Sequence, residues 1–455
     1  MLTVIDPTTG TTVREVEPDS PAVVETKLAA AVAAYEDWQA TSFAQRGELL
    51  RAVAAYMRAN LDELGRPMTE EMGKPVKEAR SEVEKAAWAA EHYAEHAAAY
   101  LAEEVLESDA TRSSVRYLPL GPVLGVLPWN APFWLAFRFC APALMAGNTC
   151  LMKHDPHTPG CAEAIAGCFT AAGAPAGLMQ ALLLETPAVE AVIRDRRVQA
   201  VSFTGSSRGG AAVATIAASE IKPAVLELGG SDPCVVLDDA DLDAAIPLIV
   251  LSRIINAGQS CIAAKRIIVE APIYDEVVER LRSHLAALKL GDPREETTDL
   301  GPIARADLRD NLHRQVSATI DQGARCLLGG ELPAGPGFFY PATLLADVEP
   351  GKTGYCEETF GPVAVVVKAE NQDHAVTMAN DTEYGLAASV WGATERALSV
   401  ANRLVAGQVV VNGVVKTDPR LPSGGIKRSG YGRELGPHGI KEFVNAQQLW
   451  VGPKR

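Results

Sequence analysis

The chain is informative first for what it lacks. None of its eight cysteines pairs into a C-x-x-C, which removes the usual signatures of a structural zinc site and of a thioredoxin-type centre. Thiols scattered through a chain of 455 residues read as reduced and intracellular. No Lys/Arg-rich run offsets a formal net charge of −15, so neither nucleic acid nor an anionic membrane is an expected partner. The longest aliphatic run, Ala244 to Leu251, is too short to span a bilayer. The opening MLTVIDPTTG has no basic or apolar signal region, and the expectation is a cytoplasmic protein. No internal repeat or low-complexity block is visible.

What is present is an orderly alternation. Residues 22 to 105 are rich in Ala, Glu and Arg at helical spacing and predict three or four amphipathic helices. RSSVRYLPLGPVLGVLPWN then reads as strand, turn, strand. Strands at 149–153, 180–184 and 198–205 are separated by helical stretches such as GCAEAIAGCFTAAG, the alternation of a parallel sheet with helices on both faces. After Gly229-Gly230 the pattern restarts with PCVVL, a helix from Asp241, RIIVE and IYDEVVERLRSHLAAL, so a second α/β unit begins near residue 230. PSGGIKRSGYGRELG reads as loop, and EFVNAQQLWV as a strand that could join a neighbour's sheet edge.

Four segments carry candidate chemistry, each with a plainer reading beside it. Cys261, in NAGQSCIAAKR, is a nucleophile or one more buried thiol. Gly205 and Ser206 end the strand VQAVSFTG and open a helix whose free N–H groups suit a phosphate, although this is not the G-x-G-x-x-G form and reads equally as a plain turn. Glu227 closes an apolar strand before two glycines, 34 residues ahead of Cys261; there it is a general base with a raised pKa or a solvated strand-end carboxylate. Asn130, after Pro-Trp, could donate to an oxyanion, and Arg138, eight residues on in an apolar helix, needs an anionic partner: a substrate carboxylate or an internal Asp or Glu. A fifth segment, EHYAEH, has the H-x-x-E-H order of inverted zinc peptidases (His92, Glu95, His96) but lies in an Ala-rich helix and reads as helix surface.

PWN, FTGSS, LELGG, GQSC, EETFGPV and PSGGIKRSG occur in that order over nearly the whole chain, and the set resembles the aldehyde dehydrogenase superfamily. NAGQSCIAAKR, the DPRLP segment and the short N-terminus look most similar to bacterial succinate-semialdehyde dehydrogenases. The resemblance implies an α/β fold of two Rossmann-like domains with a small β oligomerisation arm: cofactor domain 1–104 and 120–229, catalytic domain 230–430, arm 105–119 and 431–455. It implies Cys261 as nucleophile, Glu227 as general base for the hydrolytic water, and Asn130 with the backbone N–H of Cys261 as oxyanion donors. It implies a nicotinamide cofactor, NADP or NAD, on Lys153 and along Trp129, Asn130, His154, Asp155 and Pro156, with Gly205 and Ser206 at the pyrophosphate and Leu228 and Glu358 at the nicotinamide end. Arg138, Thr417 and Trp134 fall in the substrate pocket, and a homodimer or homotetramer is implied.

Departures from the pattern set further expectations. Pro156 stands where NAD-preferring relatives carry a glutamate, so NADP is at least tolerated, with Asp155 next door working against that. Ile255 stands where some semialdehyde enzymes have a second arginine, and Ser423 where an aromatic is usual, so the aldehyde could be succinate semialdehyde or a bulkier one. Lys265 and Arg266 open a strand and read as structural. A non-catalytic binding protein on this scaffold is the reading of another class.

Overall fold

The computed structural model describes residues 1–453; the last two positions of the expected arm, 454 and 455, lie outside the described residues. The N-terminal part forms a hairpin, Leu2–Asp6 with Thr11–Val16, and then four helices, Pro21–Trp38, Phe43–Ala59, Leu61–Met72 and Val76–Tyr100, as the helical spacing predicts. Ser42 closes a capping box with Gln45 at the start of the second, and Gly73 ends the third in the left-handed conformation.

Two large sheets follow. The first runs, across its width, Gly430–Tyr431, Ala224–Glu227, Ala200–Thr204, Pro122–Val126, Thr149–Lys153 and Met179–Ala181. All but the first pairing are parallel, and the chain reverses its direction of winding between the strands at 122 and 200. Such a switch point opens a crevice at the carboxyl ends of the strands. Residues on these strands alternate between two cores: Val123, Cys150, Met152 and Ala200 pack with the helices at 43–59, 76–100 and 132–146, whereas Leu124, Leu151, Val201 and Leu226 pack with Leu28, Ala31 and Val213 on the other face. Coverage of both faces is why these strands read as continuous apolar runs.

The second sheet runs Arg325–Leu328, Thr343–Ala346, Val363–Ala369, Arg266–Glu270, Pro233–Val236, Ala387–Trp391 and Gln408–Val411, parallel except at the first strand. It begins at Pro233, close to the expected restart at 230. The connection from Glu227 to Pro233 is only Leu228 to Asp232, so the carboxyl edge of the first sheet meets the amino edge of the second. Arg266 enters this second core fully buried and donates to the carbonyls of Ser231, Met378 and Ala379, a structural use of its charge.

A three-stranded sheet, Val444–Pro453 beside Ala110–Pro119 beside Glu104–Val105, stands apart from both. Val444–Pro453 thus pairs with a strand of its own chain. Two readings are corrected. The segment 422–436 is not all loop: Gly430–Tyr431 adds an antiparallel strand to the first sheet against Leu226 and Glu227, a two-residue pairing too short to leave a periodic signal. The strand expected at 180–184 is Met179–Ala181, because it lies at the sheet edge with a single neighbour.

Candidate active site

Most of the expected cofactor residues sit at carboxyl ends of the first sheet's strands. Trp129 and Asn130 follow Val126, Lys153 to Pro156 follow Met152, Gly205 and Ser206 follow Thr204, and Glu227 and Leu228 follow Leu226. Ser206 is the N-cap of the helix Ser207–Ser219, its Oγ accepting from Gly209 N–H at 3.2 Å. Leu228 packs on that helix at Gly210. The Lys153 ammonium is buried, has no hydrogen-bond or ion-pair partner among the described residues, and is lowered by burial while Asp155 draws it back up. A buried cation without a protein partner fits the hydroxyls and phosphates of a nucleotide.

Asp155 is turned away from that role. Its carboxylate accepts from His157 Nδ1 at 2.7 Å and pairs with Arg305 at 3.5 Å. Burial alone would raise it, but His157, Arg305 and Lys153 together hold it well below the usual carboxylate range. A cavity of about 440 Å³ is lined by Asp155, Pro156, His157 and Arg305 among others. His154 is buried, bonded through Nε2 to the Pro132 carbonyl at 3.1 Å, and lowered to about 4 by burial. Glu358 accepts from Gly230 N–H at 3.1 Å and pairs with Lys265 at 3.2 Å. Only glycine at 229 allows this approach, since a Cβ there would lie 2.2 Å from Glu358 Oε2.

Cys261 enters from the second sheet's amino edge. The helix Leu242–Ile254 stops, and Asn256, Ala257 and Gly258 take three consecutive left-handed conformations with φ of 54°, 51° and 73°. Gly258 is required there, because a Cβ would meet the Gly361 carbonyl oxygen at 2.3 Å. Ala257 bears the cost without such an excuse, about 1–2 kcal/mol for an L-residue in this region. Arg253, fully buried, pins the turn by donating to the Gly258 and Gly361 carbonyls at 2.7 and 2.6 Å.

The Asn130 loop is fastened to this turn. Asn130 Nδ2 donates to the Gln259 carbonyl at 3.1 Å, while the Asn130 carbonyl accepts from Asn256 Nδ2 at 2.8 Å and from Lys74 Nζ at 2.9 Å. Lys74 pairs in turn with Glu82, and both are buried. Glu82 also accepts from the N–H groups of Phe133 and Trp134 at the start of the helix Pro132–Ala146, at 2.9 and 3.2 Å. One turn earlier on the same helix as Glu82, Glu78 accepts from Asn256 N–H at 2.7 Å. Sequence reasoning missed Lys74, Glu78, Glu82 and Asn256, since nothing local to any of them marks a contact made across more than 50 residues.

Glu227 lies on the other side of the cleft, nearly fully buried. Burial raises it to about 7, with Glu434 adding to the rise and Arg138 opposing it. Its Oε2 accepts from Arg138 at 3.1 Å, and its Oε1 is buried without a partner. Arg138, also buried, pairs more closely with Glu434 at 2.5 Å and reaches Ser423 Oγ at 3.4 Å. Of the two partners open to Arg138 from sequence, internal carboxylates are therefore the ones it has. Glu434 went unnoticed because its segment read as loop. Ser423 takes the place of an aromatic and makes itself useful to Arg138 and to Gln408 Nε2, at 3.3 Å.

Charge links the two sides. Burial raises the half-buried Cys261 thiol to about 11; Lys265 and Arg138 act to lower it, and Glu358 and Glu227 to raise it. Lys265 does more than open a strand: its ammonium donates to the Ser260 and Cys261 carbonyls at 2.9 and 2.6 Å. Thr417 and Trp134 are bonded to each other, Nε1 to Oγ1 at 2.9 Å. The H-x-x-E-H histidines are occupied locally, His92 Nε2 with Tyr100 Oη at 3.0 Å and its ring stacked on His96 at 4.4 Å.

A doubly wound nucleotide-type sheet thus faces a second α/β sheet that offers a thiol, with an amide and a buried carboxylate between them, an arrangement that fits the α/β class of nucleotide-dependent enzymes. The Aldehyde dehydrogenase family profile matches residues 1–449, and the chain belongs to this family of oxidoreductases acting on aldehydes. A protein of Synechocystis sp. named probable succinate-semialdehyde dehydrogenase (NADP+) is 47% identical over 448 residues, 98% of this chain and 99% of that protein. Succinate-semialdehyde dehydrogenase (NADP+) 1 of Mycobacterium tuberculosis is 45% identical over 451 residues, 98% and 99% of the two chains. The crystal structure of succinic semialdehyde dehydrogenase from Streptococcus pyogenes in complex with NADP+ superposes with a TM-score of 0.97 at 34% identity, covering 99% of this chain and 100% of that one. The resemblance drawn from the motifs is borne out. No helix among the described residues is long and apolar enough to cross a membrane.

Proposed function

We propose that this protein oxidises succinate semialdehyde to succinate with NADP, and that it takes NAD less readily. The observation that carries the hydrolytic outcome is Glu227: a buried carboxyl held near 7, with one oxygen unpartnered, on the same cleft as the Cys261 thiol. The Cys261 thiol loses its proton to solvent as the sulfur attacks the aldehyde carbon, and the oxyanion of the thiohemiacetal takes hydrogen bonds from Asn130 Nδ2 and the Cys261 N–H. The cofactor would supply the hydride acceptor when bound, with Lys153 at its adenosine ribose, Gly205 and Ser206 at its pyrophosphate, and Leu228 and Glu358 at its nicotinamide end. Glu227 takes a proton from water as that water adds to the thioester on Cys261, and collapse releases the acid and restores the thiol.

The carboxylate-bearing substrate is supported by the names of the two close relatives and by the cations around the pocket. NADP is supported by the same names, by Pro156 in place of a glutamate, and by Asp155 being spent on His157 and Arg305, which leaves no free carboxylate beside a 2′-phosphate. The division into cofactor domain, catalytic domain and arm is proposed with the boundaries given above. The arm exposes Val105, Leu106, Trp450 and Val451, and a homodimer or homotetramer working in the cytoplasm would cover such a surface. Steady-state kinetics on succinate semialdehyde and butanal with both nucleotides tests the reading. A kcat/KM for succinate semialdehyde no higher than for butanal overturns the substrate, and a preference for NAD overturns the cofactor.

A further inference from the structure

Resting on the substrate reading above, one question stays open: which group takes the carboxylate. Arg138 is bound to Glu227 and Glu434, and position 255 holds isoleucine. A different cation is free. Lys85, on the helix Val76–Tyr100, lies with its ammonium 4.1 Å from the centre of the Trp134 ring and donates to Thr417 Oγ1 at 3.0 Å. Among the described residues no carboxylate forms an ion pair with it.

The hydrogen-bond inventory at Thr417 is decisive. A hydroxyl has two lone pairs and one hydrogen. Both lone pairs are taken, one by Lys85 Nζ and one by Trp134 Nε1. The Thr417 hydrogen therefore has to point to an acceptor elsewhere, and two of the three Lys85 N–H bonds are also left over. Donors from a hydroxyl and an ammonium, converging without a protein acceptor, suit a group that only accepts, and a carboxylate is such a group. Trp134 and Arg138 are four residues apart on the helix Pro132–Ala146 and share a face, so Lys85 on the Trp134 ring lies on the side of that helix where Arg138 meets Glu227.

We propose that Lys85, together with the Thr417 hydroxyl, recognises the carboxylate of the semialdehyde and stands in for the arginine absent at 255. Burial first, then Arg138 and Lys416, lower the ammonium to about 8 while Glu82 and Asp418 act the other way, so it remains largely charged at neutral pH. The neighbouring Trp134 face holds the cation in place through its ring quadrupole.

The test is the ratio of kcat/KM for succinate semialdehyde to that for butanal, two four-carbon aldehydes differing in the terminal carboxylate. Lys85→Met is expected to lower this ratio by about 10- to 100-fold, chiefly through the KM for succinate semialdehyde, and Lys85→Arg to retain most of it. Succinate as a competitive inhibitor reads the same contact without turnover, its Ki rising by the same factor. Lys85→Gln gives a second neutral variant, and stabilisation by NADP in a thermal melt verifies the fold. An equal fall for both aldehydes overturns the proposal in favour of a purely structural lysine. A wild-type ratio well above one that survives in Lys85→Met overturns it in favour of Arg138. A wild-type ratio near one overturns the substrate reading itself, and this proposal with it.

Discussion

The two sides of the cleft are built on opposite terms. On the nucleophile side the backbone is strained and the two carbonyls that frame the turn are held, the Asn130 carbonyl by two donors and the Cys261 carbonyl by Lys265, while the atoms buried there without a partner, Asn256 Oδ1 and Arg253 Nε and Nη1, belong to the groups that brace the turn. On the base side the backbone is an ordinary strand end, and Glu227 Oε1, an atom of the base itself, and Arg138 Nε are buried without a hydrogen-bond partner. Buried polar atoms are costly when unpaired, and an open oxygen on the base fits a bond to water that forms during turnover. The difference divides the labour. An oxyanion hole has to be in position before the charge develops, whereas a base has to exchange partners, water for protein, within one turnover.

The largest break in this picture comes from removing the thiol. Cys261→Ala is expected to lower aldehyde-dependent NADPH formation by about 10⁴-fold or more while leaving NADP binding in a thermal melt intact. A variant that retains activity would move the nucleophile to another residue.

Next comes Glu227→Gln, which keeps the shape of the base and removes its proton acceptance. A first turnover of NADPH should persist while steady-state turnover falls by about 10²- to 10⁴-fold. The base works ionised and its carboxyl sits near 7, so wild-type kcat should climb as pH rises through about 7 and level off above. That rising limb should vanish in Glu227→Gln. A limb that stays unchanged would assign it to another group. On the fixed side, Asn130→Ala is expected to lower kcat by about 10²- to 10³-fold by deleting one oxyanion donor, with little effect on nucleotide binding.

How much of this was legible in the sequence follows the same division. Apolar strands alternating with helices pointed to the parallel sheets, and a strand-to-helix turn pointed to Gly205 and Ser206, because those signals are local, whereas Lys153 came only with the family resemblance. Glu227 and Cys261 each had a bland alternative and Asn130 was only a possible donor, and their order along the chain is what singled them out. What the residues could not reveal was partnership over distance. Arg138 called for an anion, yet nothing near it in sequence marks Glu434, 296 positions on. Lys74, Glu82 and Lys85 sit in a stretch that reads as amphipathic helix, and packing against the distant helix Pro132–Ala146 is what brings them to the site.

The smallest effect tests why the Asn130 carbonyl is held by two donors. Glu78 and Glu82 are four residues apart and so project from one face of the helix Val76–Tyr100. One holds the turn before Cys261 through Asn256 N–H, and the other holds Lys74 and the N–H groups behind Asn130. A single helix thereby fixes both halves of the proposed oxyanion hole, although they come from different sheets. Lys74→Met removes one donor to the Asn130 carbonyl and leaves the amide free to shift, which should lower kcat by about 10-fold with KM for NADP unchanged. It should also lower stability by about 3 kcal/mol, since Glu82 loses its buried counter-charge. Loss of stability alone would not separate a positioning role from a structural one, so the deciding measurement is a double-mutant cycle. If Lys74 acts through Asn130, then Lys74→Met in an Asn130→Ala background should cost no further kcat. A second full 10-fold loss there would mean that the lysine acts on the reaction by some route other than the amide it holds.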